Sequence, residues 1–111
     1  MKRWTSALVG ALALAAAVEN ALAYVDHLNA KVDKVQASLP DTNCFYFTLQ
    51  GVTQADPVVP GQWFAIHKSQ AHAADQYAML LAAKLSDAPV RITTSGAIVC
   101  GYAGVRYMIL E

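Results

Sequence analysis

Charge is scarce in this sequence and evenly divided. Lys and Arg number eight, Asp and Glu eight, and only 14% of the chain is charged. Proteins that bind nucleic acid usually present a basic stripe to the phosphates. None is visible here, which argues against a nucleic-acid partner. Catalytic signatures are missing as well: there is no phosphate loop and no nucleophile elbow. The histidines are His27, His67 and His72. His67 and His72 stand five apart with no Cys or acidic residue at ligand spacing, and a metal site needs three or four converging ligands. They read as surface residues, and neither a metal nor a cofactor is expected. The carboxylates of Asp26, Asp33, Asp41, Asp56, Asp75 and Asp87 fall mostly at turns and helix ends. With no nucleophile, base and orienting acid in evidence, a non-enzyme is expected.

Cysteine is nearly as scarce. Cys44 and Cys100 are the two in the chain, 56 positions apart. The N-terminal segment bears on their state. Met1-Lys2-Arg3 is a short basic region, Trp4 to Val18 is apolar, Glu19-Asn20 is a polar break, and Ala21-Leu22-Ala23 has a small-x-small pattern. That is the layout of a bacterial secretory signal peptide, residues 1–23, cleaved after Ala23. The apolar run is short of the ~20 residues that span a bilayer, so no transmembrane segment is expected after cleavage. Removing Lys2, Arg3 and Glu19 leaves six basic against seven acidic residues. A secreted or periplasmic location is oxidising, and there two cysteines most simply form one disulfide. Closing a loop of that length contributes about 4 kcal/mol in the chain-entropy picture.

Turn signals divide residues 24–111 into short elements of a single domain. Leu28 to Leu39 alternates, slips phase at Asp33-Lys34, and resumes, as a strand with a β-bulge does. Pro40-Asp41-Thr42-Asn43 is a turn. Cys44 to Val52 alternates Phe45, Phe47 and Leu49 against Tyr46, Thr48 and Gln50, a half-buried strand. Gln62 to Ile66 is a third strand. Ser69 is the expected N-cap of a helix reaching about Ser86, stopped by Asp87-Ala88-Pro89. Pro89 to Thr94 and Ala97 to Leu110 form a hairpin about Ser95-Gly96, with Val99, Ala103, Val105, Tyr107 and Ile109 on one face. Three strands, a helix and two strands give the expected fold: mainly β with one helix, a small five-stranded OB-type barrel with the helix between strands three and four. An unrelated α+β sandwich is the alternative.

The helix is apolar on two sides. At about 100° per residue, Ala71, Ala74, Ala78, Leu81 and Leu85 form the expected core stripe, flanked by Tyr77 and Ala82. His72, Gln76, Met79, Leu80 and Ala83 lie opposite. Met79, Leu80 and Ala83 are accordingly expected to meet another copy of the chain, making a homo-oligomer.

The tracts CFYFTLQG at Cys44 to Gly51 and APVRITTSG at Ala88 to Gly96, with the helix before the second, resemble the B subunits of bacterial AB-type toxins, in particular the subtilase-cytotoxin and pertussis-like groups. The resemblance covers most of residues 24–111 in pattern. It implies a ring of identical subunits, a pentamer in those families, that binds a cell-surface glycan and partners a catalytic A subunit. Where the subtilase-type subunits present a serine near the start of strand one, the nearest residue here is Asn29, so the glycan site does not carry over residue by residue. Tyr46, Trp63 and Tyr102 are aromatic candidates for stacking on a sugar, with Gln50 and Arg106 as polar neighbours. Two readings follow: a glycan-binding B-like subunit, or an exported protein-interaction or structural module with no sugar site.

Overall fold

A computed structural model describes residues 24–37 and 42–111. The expected signal peptide lies outside the described residues, as do Pro40 and Asp41 of the expected turn. Among the described residues the elements are β1 (Asp26–Ala30), β2 (Val32–Gln36), β3 (Cys44–Leu49), β4 (Phe64–His67), α1 (Ala73–Ser86), β5 (Val90–Val99) and β6 (Tyr102–Leu110). The six strands form one sheet in the order β1-β5-β6-β4-β3-β2. All neighbours are antiparallel except β4 and β6, which run parallel.

This corrects the five-stranded barrel expected from the sequence. The sheet is open and six-stranded, and the helix follows the fourth strand. The expected first strand is divided at Lys31 because its halves pair with different partners, Asp26–Ala30 with β5 and Val32–Gln36 with β3. Asn29 adopts a left-handed φ of 49° inside an irregularity between His27 and Ala30, which turns the chain. The two halves then occupy opposite edges of the sheet, one residue apart in sequence. That connection forces the sheet to curl. Lys31 pins the corner: its carbonyl accepts the Gln50 N–H at 2.8 Å, and its ammonium meets Asp87 Oδ2 at 3.2 Å. The phase slip read at Asp33-Lys34 is present, since Val32 opposes Leu49 while Val35 opposes Phe47.

Two further registers differ from the sequence reading. The β5–β6 turn is Cys100-Gly101, with φ of 48° and 83°, and not Ser95-Gly96. Two consecutive positive φ values are what a two-residue hairpin turn needs to match strand twist. Ser95 to Ala97 instead bulge opposite Gly104, where an added Cβ would lie 2.6 Å from Ser95 Oγ and 2.7 Å from Val99 Cγ2. In β6, Thr93 opposes Tyr107 while Thr94 opposes Val105, leaving Arg106 as a one-residue bulge. The alternation therefore flips: Ala103 and Val105 face the core, then Met108 does, and Tyr107 and Ile109 are exposed.

The main core lies between the inner face of the sheet and α1. Phe47 and Phe64 stack with ring centroids 4.8 Å apart, among Val32, Leu49, Ile66, Val90 and Ile92. The helix faces this core with Ala73, Leu80 and Ala83, and Met79 packs against it. That reverses the expected orientation. Ala71, Ala74, Ala78, Leu81 and Leu85 are exposed, Leu85 to 88%. The helix start also moves. His72 is the N-cap residue and makes no side-chain cap bond, while Ser69 bonds the His67 ring. At the other end Asp87 takes a left-handed φ of 55° and its N–H donates to Ala83 O.

Candidate functional site

The outer face of the sheet carries a second, smaller cluster. Residues of β3 alternate faces, so Cys44 and Tyr46 point away from the core that Phe47 and Leu49 enter. Cys44, Tyr46 and Ala65 are buried there, with Trp63, Val99, Cys100 and Tyr102 packed on them partly exposed. The rings of Tyr46 and Tyr102 meet edge to face with centroids 5.6 Å apart, and the Tyr46 hydroxyl donates to Thr42 Oγ1 at 2.8 Å. Tyr46 is thus a buried support, and Trp63 and Tyr102 are the half-exposed aromatics above it. The two sit side by side because β4 and β6 run parallel: Phe64 opposes Ala103, and the Ala103 N–H donates to Trp63 O at 3.4 Å.

One edge of this cluster is covalent. Cys44, the first residue of β3, is bonded to Cys100 in the β5–β6 turn, with Cα atoms 6.6 Å apart. His67, the last residue of β4, is the direct cross-strand partner of Cys44. One ring nitrogen of His67 and the two sulfurs lie within 4.8 Å of one another. Local spacing gives His67 no cysteine partner, whereas the sheet places it beside two. A signal existed: antiparallel pairing of the second and third strands puts the start of one opposite the end of the other. Local spacing does not carry it, since the three residues come from three elements.

Ser69 fixes the imidazole. Its N–H donates to His67 Nδ1 at 3.1 Å, and its Oγ is 2.6 Å from the same nitrogen. A serine hydroxyl on an imidazole resembles part of a hydrolytic dyad, but both Ser69 contacts converge on one nitrogen two residues away in sequence. Among the described residues, the hydrogen bonds of the His67 ring are those to Ser69.

The six proposed ligand-binding residues separate into three places. Tyr46, Trp63 and Tyr102 come together on the outer face. Asn29 and Gln50 are exposed at the Lys31 corner, at the opposite end of β3 from Cys44. Arg106, on its bulge, lays its guanidinium 5.6 Å from the centre of the Tyr24 ring. Of the proposed oligomer contacts, Leu80 and Ala83 are buried in the chain's own core and Met79 is half-buried against it. The apolar face turned outward is the one with Ala74, Ala78, Leu81 and Leu85, not the one with Met79, Leu80 and Ala83.

Charges cluster elsewhere. Asp26 accepts a hydrogen bond from Thr93 Oγ1, and its second oxygen meets the Arg91 guanidinium at 3.1 Å. These two bonds hold the Asp26 carboxyl below the usual carboxylate range, and the Arg91 guanidinium is raised in return. This is a structural tie between β1 and β5, away from the aromatic face. Among the described residues no helix is long and apolar enough to cross a membrane. No known protein family, curated protein or solved structure matches the chain.

Proposed function

We propose that this protein is an exported, non-catalytic binding subunit whose aromatic outer face takes a carbohydrate, in the manner of a toxin B subunit. The observation that carries the reading is the pair Trp63 and Tyr102. Both are half-exposed, adjacent across a parallel strand pair, and backed by buried Tyr46 and the Cys44–Cys100 bridge. Flat apolar rings held by strands and a crosslink present a surface with little freedom left to lose on binding. A sugar ring stacks its C–H face on such a surface, and the imidazole of His67 on the same face of β4 offers a polar group to orient a hydroxyl. Asn29, Gln50 and Arg106 lie away from the pair and are left out of this site.

A glycan array probed with the purified, oxidised protein tests the reading. The expected result is binding to a restricted set of glycans, weakened at least tenfold by Trp63→Ala and by Tyr102→Ala, with the melting temperature followed to separate lost binding from lost fold. No glycan bound, or binding indifferent to both changes, rejects the site.

The second reading, a protein-interaction module without a sugar site, is favoured by the helix. Ala74, Ala78, Leu81 and Leu85 line one exposed side of α1, an apolar stripe with the spacing of a packed face. On this reading the stripe meets another protein surface, a second copy of the chain or a partner subunit. It is compatible with the first reading, since the stripe and the aromatic face belong to different elements.

A further inference from the structure

We propose that the reduced form of this protein binds one thiophilic divalent cation of the Zn2+ class through Cys44 Sγ, Cys100 Sγ and one ring nitrogen of His67, with the disulfide as the metal-free, oxidised form of the same site. The three donor atoms already lie within 4.8 Å of one another. Tetrahedral coordination with metal–sulfur bonds of about 2.3 Å and a metal–nitrogen bond of about 2.1 Å spaces the donors roughly 3.6–3.8 Å apart. Once the sulfur–sulfur bond is broken, side-chain rotation is enough to reach that spacing. The backbone positions are fixed independently: Cys44 and His67 are paired across β3 and β4, and the Cys100-Gly101 turn is closed by the β5–β6 ladder.

The donor set matches the ion. Two thiolates and an imidazole suit a borderline-soft cation and leave a fourth position open. Cys44 is fully buried while Cys100 and His67 are partly exposed, so the ion enters from solvent and keeps that side for water or an external ligand. Metal-bound histidines usually hold their second ring nitrogen on an outer partner. Ser69 Oγ, 2.6 Å from His67 Nδ1, is the group that accepts an Nδ1–H when Nε2 is the ligand; that tautomer gives up the bond Nδ1 accepts from the Ser69 N–H in the oxidised form.

The chemistry balances. A dithiol reductant attacks the bridge, leaves as its own disulfide and gives two cysteine thiols. The divalent ion then replaces their two protons, which are released. Reoxidation by a disulfide oxidant, which takes the two electrons and leaves as its own dithiol, re-forms the Cys44–Cys100 bond and expels the ion. The site thus exchanges a covalent staple for a coordinate one, according to redox poise.

The test uses the purified chain reduced with a phosphine, desalted without oxygen, and titrated with Zn2+ against a chromophoric chelator. One Zn2+ per reduced chain is expected, with sub-micromolar affinity and two protons released. Co2+ should give a sulfur-to-metal charge-transfer band. The oxidised chain should bind at least a hundredfold more weakly. His67→Ala should weaken the reduced form at least tenfold, while its oxidised form melts as the wild type does. Zn2+ should also raise the melting temperature of the reduced wild type. A reduced chain with no saturable Zn2+ binding, whether folded or not, overturns the proposal. So does tight binding that His67→Ala leaves unchanged.

Discussion

Leu80 and Leu85 are chemically identical and five positions apart on one helix, yet the structure gives them opposite environments. Leu80 has no exposed surface and Leu85 is 88% exposed. Leu80→Ala should therefore cost about 2–5 kcal/mol, the range for a large-to-small change in a packed core. Leu85→Lys should change monomer stability by no more than about 0.5 kcal/mol. Urea unfolding of both variants checks the pair, and equal costs would contradict the orientation of α1. A titrating residue offers a second test. Asp26 is held below its ordinary range by Thr93 and Arg91, so its folded-state pKa is lower than its unfolded one. Such a group stabilises the fold at pH values above the unfolded value, and the contribution is lost as pH falls through the folded value. Asp26→Asn should thus be less stable than wild type above about pH 4, with the gap closing in more acidic solution. Melting curves from neutral to strongly acidic pH measure it, and a gap that widened toward acid would reverse the assignment.

At the scale of elements, the sequence was most informative where one side of a strand was wet. The bulge at Asp33-Lys34 was legible because an alternating pattern shows a one-residue slip at once. The alternation of β3 was legible too, but its meaning was not. Both faces of that strand are covered, one by the main core and one by the disulfide cluster, so Tyr46 became a buried support and not an exposed ligand. The helix was the hardest element. Its two sides carry similar hydrophobicity, and periodicity alone does not rank two apolar stripes. What the exposed stripe does is an element-scale question. On the interaction reading, Leu85→Lys lowers the mass measured by light scattering at micromolar concentration or abolishes capture of a partner subunit. A wild type that is monomeric and binds no protein would remove that reading.

Across the whole molecule the Cys44–Cys100 bridge joins the start of β3 to the turn of the last hairpin, spanning a sequence separation of 56. Constraining the unfolded chain over that loop should be worth about 4 kcal/mol. Denaturant unfolding of the oxidised protein, compared with a Cys44→Ala/Cys100→Ala variant in metal-free buffer, is expected to show a loss of that size. A loss under about 1 kcal/mol would mean the unfolded state is already constrained or the bridge is strained in the fold. Trp63 and Tyr102 pack in the same cluster as this bridge, so on the carbohydrate reading the double variant should also bind its glycan more weakly, even at temperatures where the chain stays folded.

Features that depend on neighbours along the chain are legible without the fold: the number of cysteines and hence the single possible bridge, the alternation in β3, the slip in β2, and a helix stopped before Pro89. These follow from local backbone geometry and from which residues repeat at a period of two. Long-range packing sets which side of α1 is the inside, that the first strand breaks at Lys31 to serve both edges of the sheet, that the last turn is Cys100-Gly101, and that His67 stands beside both sulfurs. Each of these depends on pairing between segments far apart in sequence. There the free energy lies in burying one complete face against another, and a short stretch read alone holds only half of that contact.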